Sequence, residues 1–120
     1  MLKNVLNSAP RTEPLITIYP NYFSLNAAAM QLLGMQGEGA VSVMEDDRDG
    51  YIYIACNPDA KVSYRVSGVG CRGVVSNAKL CKRLADKMEG TGRYRICSEE
   101  SVEFMGHTYY NIFAKKYGKD

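Results

Sequence analysis

FSLNAAAMQLLGMQGEGAVSVMEDD, residues 23–47, and VVSNAKLCKRLADKMEGTGRYRICSEE, residues 74–100, share one plan. Each sets a polar cap and Asn-Ala before a short amphipathic run. A glycine-bearing turn, an apolar alternation and a group of acids then follow. Matching Asn26 to Asn77 brings Leu33 onto Leu84, and the next strand matches after an insertion of two residues. This doubling constrains the fold more than any other feature. Short hairpins and short helices are marginal alone in water, so one such unit cannot bury its own apolar face. Two units related by a pseudo-twofold axis can close each other into a small barrel without open edges.

The local signals fill in this plan. Leu15 to Tyr19 alternates, is rich in Ile and stops at Pro20, which predicts a strand, and NYFSLN turns the chain. Ser24 or Asn26 caps the run from Ala27 to Leu33, and Gly34 stands where a left-handed C-cap belongs. AVSVM and YIYIAC read as a hairpin whose loop, EDDRDG, ends in the Asp-Gly turn signal. In the second half Val62, Tyr64 and Val66 alternate, then GVGCRGVV leads to a helix capped by Ser76 or Asn77. Leu80, Leu84 and Met88 share one face of that helix. RYRICS follows it, and VEFMG pairs with TYYNIFAKK. The expectation is an α+β chain: a small β-barrel or curved antiparallel sheet built from two βαββ repeats, each with one short helix. The repeats cover about residues 15–56 and 62–114 within a single domain, 14–120, after an N-terminal arm, 1–13.

Of the 120 residues, 46% are hydrophobic and 23% charged, which is a globular balance. Nine Tyr against three Phe and no Trp suit half-buried strands with a wet edge. No apolar run approaches the roughly 20 residues that cross a bilayer, and no secretory signal pattern opens the chain, so a cytoplasmic protein with no membrane role is expected. Cys56, Cys71, Cys81 and Cys97 form no C-x-x-C pair, and His107 has no ligand-like neighbour. Four reduced thiols acting as small buried groups, with no metal and no cofactor, are the expectation. Residues 1–60 hold three Lys or Arg against seven Asp or Glu, a net of −4. Residues 61–120 hold twelve against six, a net of +6. Such asymmetry points to a polyanion partner or to complementary self-association.

The stretch ITIYPNYFSLNAAAMQLLGMQGEGAVSVMEDDRDGYIYIAC resembles the swapped-hairpin unit of the AbrB/MazE type, with its short strand, turn, capped helix ending in Leu-Gly, Gly-containing turn and hairpin. The match covers residues 15–56, and a weaker copy covers 62–114. Asn26 stands where the family commonly has Pro, Gly39-Ala40 replaces its Gly-Asp, and its usual Arg between strand and helix is missing. The resemblance implies a fused pseudo-dimer of cradle-loop barrel type. It also implies a transcription regulator or antitoxin that binds DNA through strands and loops beside the twofold axis.

No Lys or Arg occurs from Thr12 to Asp47, so a DNA face symmetric between the halves is excluded. Phosphate neutralisation would fall to the second half. The candidate nucleic-acid-binding residues are Arg65, Arg72, Lys79, Lys82, Arg83, Arg93 and Arg95. Arg93 and Arg95 flank Tyr94, so both leave one strand face while Tyr94 takes the other. The acids Glu45, Asp46, Asp47 and Asp49 lack calcium-loop spacing and read as a solvated hairpin tip. SGVGCRG fails the phosphate-loop spacings. No residue pattern argues for an enzyme. The expected function is a DNA-binding, transcription-regulatory module that contacts double-stranded DNA through its basic half. The alternative is an interaction or assembly protein of phage or mobile-element type, a homo-oligomer in which acidic and basic halves of different copies meet. A small-ligand-binding barrel comes third.

Overall fold

The computed structural model describes residues 13–117, so all of the expected N-terminal arm except Glu13 lies outside the described residues. In chain order the elements are β1 (Leu15–Ile18), β2 (Phe23–Leu25), α1 (Ala27–Leu33), β3 (Gly39–Glu45), β4 (Ile52–Cys56), β5 (Tyr64–Val69), β6 (Arg72–Val75), α2 (Ala78–Lys87), β7 (Gly92–Phe104) and β8 (His107–Lys116). Every strand is antiparallel to its neighbours, and the eight close into a barrel in the order β1-β2-β6-β5-β3-β4-β8-β7. Closure satisfies the backbone groups that short strands would otherwise leave open.

The pairing pattern maps onto itself when β1 to β4 exchange places with β5 to β8. Under that exchange β1–β2 becomes β5–β6, β1–β7 becomes β5–β3 and β3–β4 becomes β7–β8, while β2–β6 and β4–β8 are unchanged. Each half runs strand, strand, helix, strand, strand, one strand more than the βαββ plan. The extra elements, β2 and β6, span only three and four residues, too few to show a period in sequence. A second difference lies at the other end of the half. RYRICS and VEFMG are not separate strands but one strand, β7, of 13 residues, which bends where its register to β8 shifts between Cys97 and Ser101.

Alternate residues fill the barrel. Ile16, Ile18, Phe23, Leu25, Val41, Ile54, Val66, Val75, Tyr94, Ile96 and Ile112 are all at most 1% exposed. The helices complete this core. Ala29, Met30 and Leu33 of α1 and Leu80, Cys81 and Leu84 of α2 are buried in it. Gly73 on β6 makes room for α1, since a Cβ there would lie 2.6 Å from Met30 Sδ and 2.7 Å from Val66 Cγ1. Tyr94 ties barrel to helix end. Its hydroxyl accepts from the Glu89 N–H at 2.9 Å and donates to the Gly90 carbonyl, both in the turn after α2.

The matched asparagines are both N-caps. Asn26 Oδ1 accepts from the Ala29 N–H at 2.9 Å, and Asn77 Oδ1 accepts from the Leu80 N–H at 2.9 Å. Asn26 also accepts from the Leu15 N–H and donates to the Glu13 carbonyl, so it fixes β1 as well as α1. Asn77→Ala is therefore expected to cost about 1 kcal/mol, the ordinary loss of a cap. Asn26→Ala is expected to cost about twice that, because a part-buried strand N–H loses its acceptor too. Urea denaturation of both variants measures the difference, and equal costs would contradict the second role of Asn26.

Candidate nucleic-acid interface

Strand register builds a face from small polar residues. Arg93 on β7 lies opposite Thr17 on β1, Thr17 opposite Ser24 on β2, Ser24 opposite Val74 on β6, and Val74 opposite Ser67 on β5. This row crosses five neighbouring strands on the side facing away from the core, because the flanking residues of each strand point inward. Arg93 and Ser67, at its ends, are exposed. One repeat along β6 on the same side, Arg72 joins Tyr19, Tyr22, Ser24, Val69 and Val74 around a shallow groove of about 170 Å³. The rings of Tyr19 and Tyr22 stack at 4.5 Å across the β1–β2 turn, which the Tyr19 N–H closes by donating to the Tyr22 carbonyl. Tyr22 remains 37% exposed.

The seven sequence-selected bases divide into two groups. Arg65 meets Glu38 at 3.4 Å, Lys82 meets Asp86 at 3.3 Å, and Arg95 is held between Glu13 at 2.6 Å and Glu99 at 2.8 Å. Hydrogen bonds from Arg95 hold the Glu99 carboxyl below its ordinary value, and the guanidinium of Arg95 is correspondingly harder to deprotonate. Arg72, Lys79, Arg83 and Arg93 have no carboxylate within 4 Å among the described residues. Arg93 lies 6.0 Å from the ring centroid of Tyr117, a cation–π distance. The structure thus joins Arg72 and Arg93 on one sheet face. Lys79 and Arg83 sit one turn apart on α2, and Arg83 lines a different groove with Glu45, Tyr64 and Lys87. Tyr94 is fully buried and Arg93 exposed, as the alternation requires, yet Arg95 is turned to carboxylates.

The charge asymmetry between the halves finds part of its use inside the chain. Glu13–Arg95, Glu38–Arg65 and Glu45–Lys87, the last at 2.9 Å, each join an acid of the first half to a base of the second. Each pair is exposed and contributes at most about 1 kcal/mol, so these pairs orient the halves more than they hold them. At the acidic hairpin tip Asp46 carries Arg48 at 3.1 Å, which holds its carboxyl below the ordinary value. All four cysteines are free. Cys81 and Cys97 are buried, and burial pushes both thiols up, whereas Cys71 is exposed at the β5–β6 turn and departs from the buried role expected of it.

Sequence reasoning missed the Tyr19–Tyr22 groove. Its signal, two tyrosines three apart in Tyr-Pro-Asn-Tyr, is visible only once β2 is known to pair with β6. Among the described residues no group of three or more His, Cys, Asp or Glu is placed to hold a metal ion. None of their helices is long and apolar enough to cross a membrane. Compared with family models, with curated proteins and with solved structures, the chain has no match.

Proposed function

We propose that this chain is a non-enzymatic DNA-binding module of regulatory type, working in the cytoplasm and presenting the outer face of β7-β1-β2-β6-β5 to double-stranded DNA. The observation that carries the reading is the pair Arg72 and Arg93. Among the described residues neither has a carboxylate within 4 Å, and both project from the outer side of the sheet, Arg72 lining the Tyr19–Tyr22 groove and Arg93 on β7, across β1 from it. Three strand spacings and one step along β6 put their backbone positions roughly 15 Å apart measured along the curved wall, of the order of the ~12 Å width of a major groove. Guanidinium groups at such a spacing neutralise phosphates on the two sides of a groove, and a partly exposed Tyr supplies a flat apolar contact. The self-mapping strand order supports the further reading of two duplicated halves, a fused pseudo-dimer of the AbrB/MazE-like swapped-hairpin kind. In that arrangement the β2–β6 pair and the loops beside it lie at the pseudo-twofold axis.

Electrophoretic mobility of a random-sequence duplex at about 50 mM salt tests this. Retardation is expected at concentrations between about 1 and 100 μM, the range of non-specific binding. Tyr22→Ala is expected to weaken binding several-fold and to lower the melting temperature by a few degrees, because the stack on Tyr19 is lost with it. A duplex unshifted throughout that range contradicts the proposal. An interaction or assembly role is favoured by a separate observation, the apolar tip of the β7–β8 hairpin, whose Phe104 and Met105 are 47% and 80% exposed.

A further inference from the structure

The β7–β8 hairpin outruns the barrel. β1 pairs with β7 only from Gly92 to Arg95, with one further bond from the Ile96 N–H to the Pro14 carbonyl. β4 pairs with β8 only from Tyr110 to Ile112. From Ser98 to Phe104 the outer edge of β7 has no backbone partner among the described residues. An unpaired edge is a template for another strand. Val102 and Phe104 project from one face of this edge. Phe104 meets the ring of Tyr109 edge-on at 6.1 Å, and Tyr109 is buried, with its hydroxyl accepting from Asn57 Nδ2 at 3.0 Å. Beside Val102 and Phe104 runs an open cleft of about 280 Å³, whose floor includes Met44 and Tyr53 of the first-half hairpin.

Two features make this edge unlike an ordinary blunted one. Its apolar residues are exposed, 43% for Val102 and 47% for Phe104, and they continue into Met105 at the tip. Met105 sits at φ 54°, a left-handed conformation that residues other than Gly, Asn or Asp adopt only under strain. An apolar side chain held there in water does nothing for folding. Glu45, Asp46 and Glu103 line the cleft and Glu99 and Glu100 lie on the edge strand; Glu45 is paired with Lys87 and Glu99 with Arg95, which leaves Glu100 and Glu103 without a base within 4 Å among the described residues. Arg48, the base that lines the cleft, is already taken by Asp46.

We propose that the Ser98–Phe104 edge of β7 accepts a strand from a partner protein, an extended segment in which basic and apolar residues alternate. Backbone hydrogen bonds to the edge give the pairing. The apolar residues of the partner enter the cleft against Val102, Phe104 and Met44; its Lys or Arg residues, on the opposite face of the added strand, meet Glu103, while Glu100 adds negative charge on the Val102 side of the edge. Charge selects this occupant. A second copy pairing antiparallel through the same edge would bring the two acidic stretches together, with Glu99 of one copy opposite Glu103 of the other when the pairing centres on Ser101, and like charges opposite one another destabilise a sheet. An anionic lipid surface would repel the same acids.

A labelled alternating Lys-Val peptide of about nine residues, the length of a long strand, provides the probe, titrated into the full chain by fluorescence anisotropy. The control has the same composition with Pro replacing the central Val, which blocks strand pairing but keeps the charge. The expected result is saturable binding of the first peptide, at least tenfold weaker binding of the Pro peptide, and a loss of at least tenfold in both Glu100→Lys/Glu103→Lys and Phe104→Ser. Glu100 and Glu103 are exposed, so the melting temperature of their double variant should hold, whereas Phe104→Ser also gives up the edge-on contact with Tyr109 and should melt a few degrees lower. Equal binding of the two peptides would overturn the proposal, since charge alone would explain it. Three other results would also overturn it: a dimer by light scattering that Phe104→Ser dissolves, partition onto anionic vesicles, or peptide binding seen only after residues 1–12 are removed.

Discussion

Arg72→Glu/Arg93→Glu binds duplex DNA at least about a hundredfold more weakly than the unaltered chain and melts at the same temperature. The size follows from two charge-assisted contacts, each contributing about 1.5–3 kcal/mol, against about 1.4 kcal/mol per factor of ten. The unchanged stability follows from the absence of any carboxylate within 4 Å of either guanidinium among the described residues. Arg95→Glu is the informative contrast, because it would place a third carboxylate between Glu13 and Glu99. Its main effect is a lower melting temperature, with DNA affinity reduced far less per charge reversed. If Arg95→Glu lost affinity as steeply as the pair while keeping its stability, the assignment of Arg95 to an internal bridge would be wrong. Anisotropy and thermal melting on the three proteins decide between these outcomes.

The largest expected stability effect belongs to Tyr94. Its ring is fully buried among the strands that close the barrel, and its hydroxyl bridges two backbone groups beyond α2. Tyr94→Ala removes the ring and the bridge together and is expected to cost about 3–5 kcal/mol, as for other large aromatic-to-Ala changes in cores. That is a large part of the 5–15 kcal/mol typical of a domain. Tyr94→Phe keeps the ring and leaves the Glu89 N–H without its acceptor, at about 1–3 kcal/mol. Urea midpoints at constant slope give both values. A cost below 1 kcal/mol for Tyr94→Ala would mean that the barrel interior is not packed around this ring.

Much of this fold was legible because its signals are local. Ser24 or Asn26, and Ser76 or Asn77, announced two capped helices, of which the asparagines are the caps; Gly34 does adopt the left-handed C-cap conformation at φ 79°, and Asp49-Gly50 turns the β3–β4 hairpin. The doubled pattern pointed to a small barrel, which is the architecture found. What stayed hidden depends on pairing at long range. β2 and β6 are too short to show a period, and they exist because each is the other's neighbour. The length of β7 was hidden by acids at Glu99 and Glu100, which read as a break but lie on an exposed stretch past the barrel.

The candidate interface was half legible for the same reason. Lys and Arg could be counted in sequence, but whether a base meets solvent or a carboxylate depends on residues far away. Glu38 lies 27 positions from Arg65, and Glu13 lies 82 from Arg95. The charge asymmetry that pointed to outside partners also reflects halves that face each other. The Tyr19–Tyr22 groove needed β6 beside β2 before Arg72 could join it.

The most direct measurement is a titration of a labelled random-sequence duplex with the unaltered chain at about 50 and 200 mM salt, followed by anisotropy with light scattering on the same samples. If the Arg72–Arg93 face releases counterions from phosphates, a monodisperse protein binds at the lower salt. Its affinity then falls with a logarithmic slope near −0.9 for each phosphate contacted, and the slope shrinks by about two in Arg72→Glu/Arg93→Glu. No binding at 50 mM salt, or binding indifferent to salt and to those two arginines, would contradict the account.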